Sequence, residues 1–197
     1  TMWAHDGTSW ASVTSETTPP ARYAATMAYD SVREVVVLFG GMGGGVDLDD
    51  TWEWDGQNWQ EANPAFRPPA RRLHSMAFDP VREKVVIFGG AQAKADTWEY
   101  DGNTWSQIST PETPPGRHGA AMSYHAPSGR IVLFGGYGGT WLDDTWVYDG
   151  TAWTELSPAV SPSARVGTAM VDAPAQGGAL LFGGNLPGDG NPWVFLY

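Results

Sequence analysis

The chain has 197 residues, among them 25 glycines, 15 prolines and no cysteine, and a net charge of −11 with only two lysines. That charge argues against a nucleic-acid partner or an anionic membrane surface, because nothing supplies a basic phosphate-binding stripe. The missing cysteines exclude disulfides, thiolate metal sites and thiol catalysis, and no apolar run reaches the length of a membrane span.

Glycine and proline fall at regular turn positions between short apolar runs, so we read one all-β domain, 1–197, built from many short strands. In chain order, "MWAHDGTSW" from Met2 to Trp10 reads as two strands around an Asp6-Gly7 turn. A first complete unit, about 22–62, starts at Arg22 and reaches Met27 five residues later. It continues into the buried-strand pattern "EVVVLFGG", crosses the acidic loop "GGGVDLDD" and ends in "DDTWEWDGQNW". The pattern returns in units of about 71–109, 117–157 and 165–197, the last complemented by 8–14. Their glycine pairs, Gly40-Gly41, Gly89-Gly90, Gly135-Gly136 and Gly183-Gly184, are 49, 46 and 48 residues apart, a spacing that suits propeller blades or long solenoid units.

Each unit accounts for four short antiparallel strands. Small residues before Met27, Met76, Met122 and Met170 suit an innermost strand near a crowded axis. The tryptophans that recur at two template positions supply apolar area between neighbouring sheets. The first and third strands start on the same face. This brings Arg22, Arg71, Arg117 and Arg165 to the side of Asp50, Asp96 and Asp144, where charge-assisted contacts would tie strands or blades together. In the last unit Asn191 replaces the acid.

These units resemble kelch repeats in the Gly-Gly after a hydrophobic strand and the aromatic pair downstream. The resemblance covers nearly the whole chain and implies a β-propeller of four four-stranded blades, the last completed by the N-terminal strand around Trp10. One third strand is then surplus, because the segment at Trp3 and the segment from Trp193 to Tyr197 match the same template strand. Either the first residues are a free lead-in, or the terminal strands pair between molecules.

Other candidates stand outside the template. Trp141, with Tyr137 and Asp143 in a glycine-rich loop, offers aromatic rings to a sugar or a protein, or else folds back over the blade edge. Asp47, Asp49 and Asp50 are oxygen ligands for Ca²⁺ or a solvated acidic loop, without the spacing of a twelve-residue calcium loop. His5, His74, His118 and His125 occupy different template positions and suggest no metal triad. No nucleophile elbow or phosphate loop appears. The expectation is therefore a non-catalytic, cofactor-free structural or protein-interaction module, extracellular by composition, with self-assembly into oligomers or filaments through its terminal strands. Its partner would be another copy or another protein; a glycan-binding propeller is the alternative and a carbohydrate-active enzyme the third reading.

Overall fold

The computed structural model of the chain describes residues 2–173, 175 and 178–185. Among these residues the regular elements are eighteen strands in antiparallel sheets, without an α-helix. The N-terminal hairpin is β1 (Met2–His5) and β2 (Trp10–Val13). The first blade holds β3 (Thr26–Asp30) and β4 (Val35–Phe39). A small loop ladder, β5 (Met42–Gly43) and β6 (Val46–Asp47), precedes its outer strands β7 (Thr51–Trp54) and β8 (Trp59–Ala62). The second blade is β9 (Ser75–Asp79), β10 (Lys84–Phe88), β11 (Thr97–Tyr100) and β12 (Trp105–Ile108). The third is β13 (Ala121–His125), β14 (Arg130–Tyr137), β15 (Trp141–Tyr148) and β16 (Trp153–Leu156), and β17 (Ala169–Ala173) and β18 (Gly178–Phe182) open a fourth.

Within each complete blade the strands pair in chain order, from the innermost outward. The short turns between consecutive strands leave no length for a crossover, so up-and-down pairing is what the chain can reach. The first strands β3, β9, β13 and β17 pack in sequence beside one another. Alternate residues of every blade therefore look forward to the next repeat or back to the preceding one.

The interfaces between blades are the core. Val37 and Phe39 look forward from the first blade onto Met76, Phe78, Val85, Ile87, Tyr100 and Trp105 of the second. Ala77, Val86 and Phe88 of the second repeat the arrangement against Ile131, Leu133, Tyr148 and Trp153 of the third. Trp105 and Trp153 are almost completely buried. Burying each such ring contributes roughly 2–3 kcal/mol, and the indole N–H needs a partner there. Each finds one across the interface: Trp105 donates to Thr51 Oγ1 at 3.0 Å and Trp153 to Thr97 Oγ1 at 2.9 Å.

The chain ends differ from the interior. β1 and β2 form a separate two-stranded sheet lying against the rear of the first blade, where Met2 packs on the cluster of Leu38, Trp52 and Trp59. In the repeat template Met2 stands where Thr51 and Thr97 stand, so it meets Trp59 as those threonines meet the tryptophan of the following blade. β17 and β18 likewise form their own sheet. Among the described residues β2 pairs with β1, and neither strand pairs with β17 or β18. Trp193 and Tyr197 lie outside the described residues.

Candidate functional site

The strands begin and end so that two sets of loops share one face of the blade stack: those entering each innermost strand and those joining second to third strands. On this face Arg71 has no exposed surface. Its Nη1 and Nη2 donate to the two carboxylate oxygens of Asp96 at 2.8 and 2.6 Å, Nη1 also to Gly89 O at 3.0 Å, and Nε to Pro69 O at 3.1 Å. Arg22 with Asp50 and Arg117 with Asp144 repeat the fork. Arg165 repeats the contact to its own glycine carbonyl, at Gly183, while its template acid position, Asn191, lies outside the described residues. The second Asp96 oxygen also accepts the Trp98 indole N–H at 2.7 Å, and Asp50 and Asp144 serve Trp52 and Trp146 alike. Burial pushes these carboxyls up, but the guanidinium and indole hydrogen bonds together with the arginine charge outweigh it, holding Asp50, Asp96 and Asp144 below the ordinary value of 3.8.

The arginine backbone makes the link between blades. Gly41, Gly90 and Gly136 donate to the carbonyls of Arg71, Arg117 and Arg165 in the following repeat at 2.9, 2.8 and 2.8 Å. The first glycine of each pair lies where a Cβ would strike that carbonyl, at 2.4 Å for Gly89 against Arg117 O. A second chain of bonds runs round the axis: Leu73 N–H donates to Ala24 O, Gly119 to Leu73 O and Gly167 to Gly119 O. Glycine fills this left-handed position in the later repeats, yet Ala24 and Leu73 hold it at φ 55° and 57°.

The arginines and acids of this face are thus committed to structure, and the acidic loop follows suit. Asp50 belongs to Arg22, Asp47 pairs with Arg72, and Asp49 faces Arg67 at 3.9 Å. The Ca²⁺ reading of these three acids is not what the geometry builds: three arginines draw them apart, and among the described residues no three ligating side chains converge. For Trp141 and Tyr137 the two expectations are rings offered to a ligand or a ring folded back over the blade edge. Their glycine-rich segment is a ladder extending β14 and β15, with a bulge between Phe134 and Gly136. Trp141 is half-buried and edge-on to Tyr137, with ring centres 6.3 Å apart, and Tyr137 in turn meets His118 at 5.5 Å; Asp143 is exposed. Trp3 and Trp10 stand exposed on the N-terminal hairpin.

Sequence reading missed the cross-blade device on the opposite face. Arg82 donates to Asp79 at 2.9 Å and to Glu99, and its guanidinium lies 5.0 Å from the Tyr148 ring of the next blade. Arg33, with Asp30 and Glu53, sits over Tyr100 in the same way at 5.5 Å. The signal was present as "DSVRE" and "DPVRE" at one template position.

Four-stranded antiparallel blades packed face to face, with their innermost strands side by side, define a β-propeller architecture. The family follows from a domain model: the one described as the KLHDC2/KLHL20/DRC7 Kelch-repeats domain matches residues 2–185, and the chain belongs to the kelch-repeat family. A comparison with curated proteins gives no match. Kelch-repeat domains serve in general as protein-interaction modules.

Proposed function

We propose that the chain is a non-catalytic, extracellular protein-interaction module that receives its partner on the face carrying the arginine forks. One observation supports this reading above others. Tyr23, Val46 and Leu73 are exposed on that face, next to the half-buried Tyr137 and Trp141, and the backbone beneath them is tied by buried Arg71 and Arg117. Exposed apolar groups on a preorganised floor bind with little ordering entropy. The strain at Leu73 puts a leucine where glycine would be free of it, which suits retention for contact. The net charge of −11 favours a basic partner. Photo-crosslinkers placed at Leu73 and Tyr137 should capture the same protein in cells of the source organism. Capture only from Val32 and Val81 on the opposite face would refute it, and fractionation of those cells checks the location. Glycan binding at Trp141 and Tyr137 is the competing proposal, and retention on a glycan array lost in Trp141→Ala would favour it.

Self-association is a second reading, favoured by the end faces. Met27 and Tyr29 at the rear of the first blade are 60% and 56% exposed, whereas their counterparts Met76 and Phe78 are buried. Val171, Leu180 and Phe182 look forward from β17 and β18, also exposed, in the template places of Ala77, Val86 and Phe88. One copy's forward face thus matches another's rear face. Light scattering across a concentration series separates a constant monomer from growing assemblies.

A further inference from the structure

The flap that carries Trp141 has a counterpart in the first blade. There β5 and β6 pair Met42 with Asp47, and in the third blade the extension of β14 and β15 pairs Tyr137 with Trp141 at the same template positions. Asp49 stands two residues beyond Asp47, as Asp143 does beyond Trp141, so each acid shares the outward side of its flap with the residue two before it.

In the first blade the following repeat covers that side with two cations. Arg72 pairs with Asp47, and Arg67 faces Asp49 at 3.9 Å. In the second blade both halves are replaced together: Ala93 and Ala95 stand for the acids, and His118 and Thr113 for the arginines of the following repeat. The third blade is the mismatched one. It keeps the acid Asp143, but the places of the two arginines hold Val166 and Ser161. Ser161 follows the path of Arg67 and donates its hydroxyl to the backbone carbonyl of Asp143 at 3.1 Å, which does nothing for the carboxylate. Asp143 is exposed, and among the described residues no cation pairs with it.

The same flap presents two rings at 84° to each other, Tyr137 and Trp141, their centres 6.3 Å apart. A ring beside a carboxylate is what this chain uses elsewhere to seat a guanidinium. Arg82 pairs with Glu99 and lies 5.0 Å from the centre of the Tyr148 ring; Arg33 pairs with Glu53 and lies 5.5 Å from that of Tyr100. We propose that the third-blade flap is an arginine-binding site: a partner protein inserts one arginine, whose guanidinium stacks in the corner of Tyr137 and Trp141 and pairs with Asp143. This rests on the reading of the fork face as the docking face, and it names the side chain that the partner brings. A planar guanidinium stacks on a ring while its edge donates to a carboxylate, which a lysine ammonium cannot do. The net charge of −11 draws such a partner in.

The probe is N-acetyl-arginine methylamide, titrated into protein labelled with fluorotryptophan, whose Trp141 resonance is assigned with Trp141→Phe. The expected result is a saturable shift of that resonance by the arginine probe, a weaker response to the lysine analogue and none to the neutral citrulline analogue. Asp143→Asn should weaken the arginine probe by roughly fivefold or more at an unchanged melting temperature. Val166→Arg, which supplies the cation that Arg72 provides in the first blade, should abolish the shift. A citrulline or lysine response equal to that of arginine would overturn the proposal. So would the absence of a saturable shift, a response that survives Asp143→Asn intact, or one that persists in folded Val166→Arg protein. Photo-crosslinking at Leu73 separates this site from the docking face. Capture there without an arginine response removes the arginine site and leaves the face, whereas an arginine response without capture at Leu73 or Tyr137 supports the site and counts against the face.

Discussion

Arg82 holds Asp79 of its own blade at 2.9 Å while its guanidinium covers the Tyr148 ring of the next at 5.0 Å, so one side chain closes a turn and clamps an interface. Asp79 is buried, and its Oδ1 also accepts the N–H groups of Val81 and Arg82. Removing Arg82 leaves that carboxylate without its cation. Arg82→Ala should therefore lower stability by about 3 kcal/mol. Arg82→Lys should recover only part of this, because an ammonium cannot serve Asp79 and Glu99 as a fork. Urea unfolding of the three proteins checks the order.

Arg71→Lys should be costlier than its conservative look suggests. The buried guanidinium makes four hydrogen bonds from one plane, reaching Pro69, Gly89 and both oxygens of Asp96, and a lysine cannot match that fork. A loss of about 2–4 kcal/mol is expected. The same change at Arg22, whose blade has an open rear face, should cost less. Thermal unfolding of both variants tests the difference.

Stability should fall with acid in two windows. His74 is buried, with Nε2 2.5 Å from Thr26 Oγ1, and burial together with the nearby Arg71 charge lowers its pKa to about 3. The unfolded chain therefore binds a proton below about 6.5 that the folded chain refuses, and stability declines as pH falls from 6.5 towards 3. Asp50, Asp96 and Asp144 are depressed, so their contribution is complete above 3.8 and is lost only as pH falls below it. His74→Gln should flatten the upper window and leave the lower one. Melting temperature against pH, for the chain and this variant, decides it.

Gly89→Ala should break an interface where Gly44→Ala only strains a loop. Both have positive φ, 71° and 59°, but a methyl at Gly89 would lie 2.4 Å from Arg117 O, whereas nothing lies within 4 Å of one at Gly44. The Gly44 change should cost about 1 kcal/mol and the Gly89 change clearly more, since backbone of two blades must part. Denaturant midpoints of the two variants give the comparison.

What could be read from the residues alone was whatever repeats locally. Strand order within a blade follows from short turns. The Asp-Gly turns carry their own signal, since Asp55, Asp101 and Asp149 each accept two N–H groups of their own turn. The Arg-to-Met and Gly-Gly spacings mark the units, and pairing of successive strands brings each arginine to the face of its acid. Contacts between blades were out of reach, because the partner lies far along the chain, 27 residues on for Gly90 and Arg117 and 66 for Arg82 and Tyr148, and nothing local names it. Only the stacked blades show that Thr51 exists for Trp105, that Arg82 serves Tyr148, and that Gly90 is spent on the carbonyl of Arg117. The same holds at the ends. The residues identify incomplete units at both ends of the repeat array, two template strands in the first and three in the last, but which apolar faces stay open, at Met27 and Tyr29 and at Leu180 and Phe182, depends on how the blades stack. Periodicity sets the strands and turns through short-range sterics and hydrogen bonding; the side chains that cross from blade to blade acquire a partner only when tertiary packing brings two distant repeats face to face.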